Sequence, residues 1–321
     1  MIQHTRLDDN LSASRIILAA GILSLVLYLW MASLDLAASL PLYLALHGLL
    51  TGLALIAWRT TARFPSTLGW IVAGAVLFRL IVAFSEPTLS DDLYRYVWDG
   101  RVQLHGVHPY AHAPVDPALE ALRDDDWARI NHPELRTIYP PLAQGVFAGL
   151  AALGAGTFGF KLFLALADLA VLAALGGLLR RATLPMDRWV LYAWNPVALV
   201  ETAGSGHIEP VGVALVVATA AWLCTRRMRL AAAALAAAVH VKVLPLVLVP
   251  AVVRRGRFAA LLVLAAVLAA LALPYALSGP AVGSGLFDYA QRWERNAVIY
   301  SATESLLEWV DTGPRLKPLV G

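Results

Sequence analysis

The chain has 321 residues, 59% of them hydrophobic and only 15% charged, with a mean hydropathy of +0.67. Soluble domains run nearer 45–50% apolar and about 25% charged, so an ordinary water-soluble enzyme is excluded. A net charge of +3 is too mild to mark a nucleic-acid binder, and a single cysteine, Cys224, excludes a disulfide framework.

The apolar residues fall in blocks long enough to cross or enter a bilayer, which takes about 20 residues per crossing. They lie at about 15–34, 39–58, 68–84, 142–158, 161–179, 189–201, 211–224, 230–253 and 258–277. The pattern predicts an all-α polytopic membrane protein with about nine transmembrane or re-entrant helices and a large outer loop carrying short surface helices. We read residues 1–321 as a single domain. Within it, 1–66 is an N-terminal helical hairpin, 86–141 an outer active-site loop, and 282–321 a C-terminal surface helix. The first block has no small-residue cleavage site after it and reads as a retained helix rather than a signal peptide.

Basic clusters set the expected topology. Arg59 and Arg63, then Arg180, Arg181 and Arg188, then Arg226, Arg227 and Arg229, then Arg254, Arg255 and Arg257 all belong inside by the positive-inside rule. Residues 86–137 and the turn at Ser205–His207 then fall outside. Two pairs of clusters are separated by the wrong number of blocks. A half-crossing in the Gly-rich segment ending at Gly159, and a broken or re-entrant helix in 230–253, would resolve both conflicts. Irregular backbone at depth is tolerated where it lines a cavity.

The charged residues concentrate in Ser90–Tyr110. Asp91, Asp92, Arg95, Asp99 and Arg101 lie within about three helical turns, among Tyr94, Tyr96 and Trp98. Spacings of three, four and seven put Asp92, Arg95, Tyr96 and Asp99 on one helix face. Adjacent carboxylates repel, which suits a general base. Ser90 or Asp91 equally suits a helix N-cap, and both roles hold if Asp91 caps while Asp92 points into a site. Arg95 and Arg101 are candidate anion holders.

Further candidates follow along the chain. Thr137-Ile138-Tyr139-Pro140-Pro141 marks the return of the outer loop to the apolar layer; it reads either as a binding element or as the mere start of a helix. Trp194-Asn195-Pro196 precedes Glu201 and the polar turn Gly204-Ser205-Gly206-His207. His207 could hydrogen-bond a phosphate or sugar, or simply be an exposed loop residue. Lys242, beside His240 in an apolar block, is a functional candidate with phosphate as its partner, or else a snorkelling or paired lysine. Asp168, Lys161 and Arg79 read as structural. His105, His108 and His112 are interrupted by Gly106 and Pro109, a spacing that does not suit a metal site.

The runs D-D-L-Y-R-Y-V-W-D-G-R-V-Q, G-V-H-P-Y, I-N-H-P-E-L-R-T-I-Y-P-P, W-N-P and G-S-G-H-I-E resemble the type C superfamily of integral-membrane glycosyltransferases. The likeness is strongest to the polyprenol-phosphomannose-dependent mannosyltransferase branch. It runs from about Leu68 to Asn296, with two helices preceding that core. The resemblance implies an inverting transfer of mannose or a similar sugar from a polyprenyl-phosphate donor to a lipid- or glycan-linked acceptor. It places the reaction on the outer face of a bacterial inner membrane, needing neither nucleotide nor metal and no cofactor. It makes Asp92, or its neighbour Asp91, the base. Arg95, Tyr96, Asp99, Arg101, Tyr139, His207 and Lys242 become candidates for substrate and phosphate contact. A transporter or flippase of lipid-linked sugars, or a non-catalytic subunit of the same fold, is the competing reading. A transporter would face its polar groups across the midplane; an enzyme would gather them at the outer loop.

Overall fold

A computed structural model of the chain describes residues 2–279 together with 282, 283, 285–287, 289 and 303. Its regular elements are helices, and no strand occurs among the described residues. The C-terminal surface helix expected over 282–321 lies almost wholly outside them.

Three long apolar helices open the chain: α1 (Ile2–Ala32), α2 (Leu40–Arg63) and α3 (Leu68–Ala83). Asp35 ties the first turn by accepting the amides of Ala37 and Ala38, at 3.1 and 3.2 Å. α4 (Asp92–Leu104) carries the charged cluster, and the outer loop follows it. After that loop come α5 (Pro141–Ala152) and α6 (Thr157–Arg181). The block at 189–201 is no continuous helix. It breaks into α7 (Val190–Ala193), α8 (Pro196–Leu199) and a π-turn, Val200–Gly204. α9 (Glu209–Cys224), α10 (Met228–Val239) and α11 (Val249–Ser278) complete the described chain.

Among the described residues five segments are long and apolar enough to cross a membrane: Asp9–Ala32, Leu40–Arg63, Pro65–Ala83, Thr157–Arg181 and Leu244–Ser278. Of the expected nine or so transmembrane or re-entrant helices, the all-helical character and five such segments are met; the other apolar helices are shorter. α5 and α10 have 12 residues each and measure about 18 Å, short of a hydrocarbon core of about 30 Å. Ring contact between Phe84 and Phe158, at 4.8 Å, sets the start of α6 beside the end of α3. Lys161 there donates to the Ser85 carbonyl. The chain thus enters α5 beside the Asp92 cleft and begins α6 again at the end of α3, so residues 141–157 do not carry it across. The second conflict resolves similarly. α10 rises from Arg226–Arg229 and turns at Lys242, and the chain returns so that Arg254–Arg257 meets Met228. α11 kinks at Arg257 (φ 51°, ψ −147°), and its second part runs back to bring Tyr275 against His108.

Glycines set two close approaches. A Cβ at Gly74 would lie 2.8 Å from the Trp194 ring, whose indole nitrogen donates to the Ile71 carbonyl at 2.9 Å. A Cβ at Gly100 would lie 2.4 Å from the Phe147 carbonyl oxygen, so α4 packs onto α5 backbone to backbone. That packing builds the core beneath the site, from Leu93, Tyr96, Tyr139, Phe147, Phe160 and Ile208. Tyr94, Trp98, Leu119 and Ile130 form a smaller core that holds the outer loop on the other side of α4.

One fully buried ion pair ties the bundle. Arg79 of α3 donates from Nε to Asp168 of α6 at 2.6 Å, both side chains fully buried, and further to the carbonyls of Ala75 and Ala193. Tyr192 donates to the other Asp168 oxygen. These residues join helices, in keeping with the structural reading of Asp168, Lys161 and Arg79.

Candidate functional site

The first turn of α4 aims Asp92 at a cavity. Ser90, not Asp91, receives the first helical amide: the Asp92 N–H donates to Ser90 Oγ at 3.3 Å. Asp91 occupies the cap position, but its carboxylate makes no capping bond and lies exposed. The expected capping role of Asp91 is thereby corrected. Asp92 lines a solvent-open cleft with ≈ 470 Å³ of empty space, together with Arg95, Asn131, Arg136, Tyr139 and Tyr289. Its Oδ1 accepts from Asn131 Nδ2 at 3.2 Å.

Arg95 is held from behind. Its Nε donates to Asp99 Oδ1 at 2.8 Å and Nη1 to the Leu135 carbonyl at 3.0 Å. Asp99 is buried, and its second oxygen accepts from Thr137 Oγ1 and from Gln144 Nε2. Gln103 in turn donates to Gln144 Oε1 at 2.9 Å. Asp99 does not line the cleft; it fixes Arg95, α5 and the Thr137 segment in one register. Arg101 faces away from Asp92. It pairs with Asp124 of the outer loop at 2.5 Å and reaches the Leu122 carbonyl. Arg136, by contrast, lines the cleft, is exposed, and makes no side-chain hydrogen bond or ion pair among the described residues.

Two tyrosines floor the site. The Tyr96 and Tyr139 rings meet edge to face at 4.9 Å, and Tyr96 stacks on Phe147 at 4.5 Å. Burial, then the nearby carboxylates of Asp92 and Glu209, push the Tyr96 phenol well above its usual pKa. Burial likewise raises Tyr139, with Tyr96 and Asp92 adding to it. Both therefore stay neutral as donors.

His207 sits against the same helix start. Its Nε2 lies 2.9 Å from Ser90 Oγ and 3.8 Å from Asp92 Oδ2, and its Nδ1 lies 3.0 Å from Glu201 Oε2. Asp92 and His207 thus share one end of the molecule. Burial opposes a charge on His207, but Glu201, Glu209 and Asp92 outweigh it and raise its pKa above the ordinary histidine value. Lys242 is not sunk in a helix. It sits at the turn after α10, half-exposed, and pairs with Glu209. The three loop histidines go separate ways: His105 to the Arg101 carbonyl, His108 to the Tyr275 carbonyl, and His112 to Asp116.

The structure therefore gathers Asp92, Arg95 and Tyr139 at one cleft, with Tyr96 beneath them and His207 adjoining. It sets Lys242 one carboxylate further out, and Asp91, Asp99 and Arg101 off the cleft. Asn131 and Arg136 were not singled out from the sequence. Both stand in the run I-N-H-P-E-L-R-T, whose polar residues were the available signal. Glu201 and Glu209, which flank the Gly204–His207 turn, come to His207 and Lys242.

The polar groups gather around the outer loop, whereas the deep Arg79–Asp168 pair is fully buried between helices. Residues 13–256 match the alpha-(1->6)-mannopyranosyltransferase family in its N-terminal domain. The chain belongs to that family. It is a membrane glycosyltransferase of the mannosyltransferase kind, acting with a sugar donor and a glycan acceptor. The match starts at residue 13, so the first helical hairpin belongs to the mannosyltransferase domain and does not precede it. No curated protein and no solved structure matches the chain.

Proposed function

We propose that this mannosyltransferase moves mannose from a polyprenyl-phosphate donor to a glycan or lipid-linked acceptor, with inversion at the anomeric carbon. Asp92 takes the proton of the acceptor hydroxyl as that oxygen bonds to C1. The C1–O bond to phosphate breaks, and the polyprenyl phosphate leaves with the electron pair. If the product is the alpha-1,6 linkage of the family's description, inversion requires a beta-linked donor. The reaction runs on the outer face of a bacterial inner membrane, with 1–321 as one domain and 86–141 as its active-site loop.

One observation carries this reading: a carboxylate held by Asn131 opens into a cleft whose other charges are the guanidinium groups of Arg95 and Arg136. A base faces two anion holders across a space a sugar phosphate can enter. Arg136 takes the phosphate role expected of Arg101. Lys242, neutralised by Glu209, shapes the donor side without holding phosphate directly. His207, next to Ser90 and Asp92, positions the start of α4.

The test is a transfer assay on the reconstituted protein with a panel of polyprenyl-phosphate sugars. Asp92→Asn should lower turnover by at least ~10²-fold, the usual worth of a general base, with folding intact. Arg136→Gln should raise the donor KM while Arg101→Gln leaves it unchanged. Full turnover by Asp92→Asn, or transfer only from a nucleotide sugar, would sink the proposal.

A further inference from the structure

Opposite the Asp92 cleft the molecule carries a second, differently built opening. The sequence holds the pattern Arg-Arg-x-Arg twice, at Arg226-Arg227-Met228-Arg229 and at Arg254-Arg255-Gly256-Arg257. The α10 hairpin brings the two face to face. A Cβ on Gly256 would come within 3.0 Å of Met228 Cβ, so the glycine sets how closely the triplets approach. Between them lies a solvent-open cleft of ≈ 810 Å³, open solvent included, and a neighbouring one of ≈ 800 Å³ shares Arg226, Met228 and Arg255.

Three features set this cleft apart from an ordinary basic loop. First, no Asp or Glu occurs between Glu209 and Asp288, so α10, α11 and all of α9 after its first residue offer no counter-charge. None of the six arginines makes a side-chain hydrogen bond or ion pair among the described residues. Second, Arg226 and Arg257 adopt left-handed backbone, φ 57° and 51°, which non-glycine residues hold only at a cost. Third, the cleft joins apolar surface. Leu230, Ala259 and Ala260 complete its wall, and Phe258, 70% exposed, adjoins it.

We infer that this cleft binds the phosphate headgroup of an anionic membrane lipid, with the acyl chains lying along Leu230 and the exposed face of α11. Guanidinium groups give phosphate oxygens paired, charge-assisted hydrogen bonds. The free amides at the start of α10 point the same way and add to the attraction. The apolar wall favours a lipid over a soluble anion. This site is independent of the transfer reaction at the other end.

The test titrates the full-length protein, in neutral detergent, with phosphatidylglycerol and with phosphatidylcholine, counting bound lipids by native mass spectrometry. Saturable binding of phosphatidylglycerol alone is expected. Arg226→Gln with Arg255→Gln should weaken it roughly 30-fold, at about a factor of five per arginine charge. Arg180→Gln with Arg181→Gln removes equal charge from the same end but outside the cleft and should leave binding intact. Equal loss in both double variants would overturn the site in favour of a diffuse basic surface. Pyrophosphate that displaces the lipid at matched concentration would overturn the lipid assignment in favour of a soluble phosphate ligand. Should the first pair fail to fold, Arg227→Gln with Arg229→Gln tests the same cleft. Transferase activity should survive in every variant.

Discussion

Two Arg–Asp pairs, alike on paper, do different things. Arg79–Asp168 joins α3 to α6 and is fully buried; Arg79 Nη1 donates to backbone and Tyr192 takes the other Asp168 oxygen, while Arg79 Nη2 has no partner among the described residues. Arg95–Asp99 lies within one helix at i, i+4; it is nearly as buried, yet its arginine reaches a cleft. The first pair joins two helices away from the cleft. The second opens onto the cleft, where we propose that the acid aims the guanidinium. Burial alone does not separate the two pairs; opening onto a cleft does.

Breaking each pair should show the difference. Asp168→Asn leaves Arg79 charged and unmatched in the bundle, and loss of one buried partner costs about 3–5 kcal/mol. The thermal midpoint should fall sharply while the kcat of the surviving folded protein stays near wild type. A collapse of kcat at unchanged stability would reverse the assignment. Asp99→Asn should do the opposite: a smaller loss of stability, but a fall in turnover approaching ~10²-fold, since small misplacements of catalytic groups cost that much. An active Asp99→Asn enzyme would show that Arg95 needs no aiming.

Much of this could be read from the residues in advance. The run Ser90–Tyr110 pointed to the cleft that Asp92 and Arg95 line, because charge in an oily chain is expensive. Two topological conflicts in the arginine clusters foretold that 142–158 and 230–253 do not cross simply. Partner choice was less legible. Arg95 and Arg101 look equivalent by spacing, and only the folded outer loop, presenting Asp124, removes Arg101 from the site. Lys242 looked buried because its neighbours in sequence are apolar; the turn after α10 brings it to Glu209, 33 residues back. Helical periodicity gives the face of a residue, not what another segment brings to it.

Smaller effects refine the picture of Asp92. Asn131→Ala removes one hydrogen bond to its carboxylate, worth about 0.5–1.5 kcal/mol, and should lower kcat/KM by a few-fold to about tenfold. No change would mean that His207 and Ser90 suffice to hold it. The smallest effect concerns pH. The raised pKa of His207 means that the folded protein binds this proton more tightly than the unfolded chain. Its stabilisation is complete below about pH 6.5, the unfolded value, and is lost as pH rises through the raised folded value. Thermal midpoints measured from pH 5.5 to 9 should decline over that window in the wild type and lose this component in His207→Gln. Identical profiles would place the titration elsewhere.

The α10 hairpin also bears on how such a chain is made. Both arginine triplets sit at one end of the hairpin, so if that end is the one where the chain emerges, neither has to be carried through the apolar layer. Lys242 alone travels with the hairpin tip, and α9 precedes it in the order of synthesis. Glu209 is therefore in place before the lysine arrives. A chain inserted from its N-terminus meets the acid first and the cation second, and the pair closes the hairpin at the moment it forms. Exchanging the two residues would keep the ion pair of the finished protein but leave a lone carboxylate to lead the hairpin in, so assembly, rather than the final fold, is where that exchange would be felt.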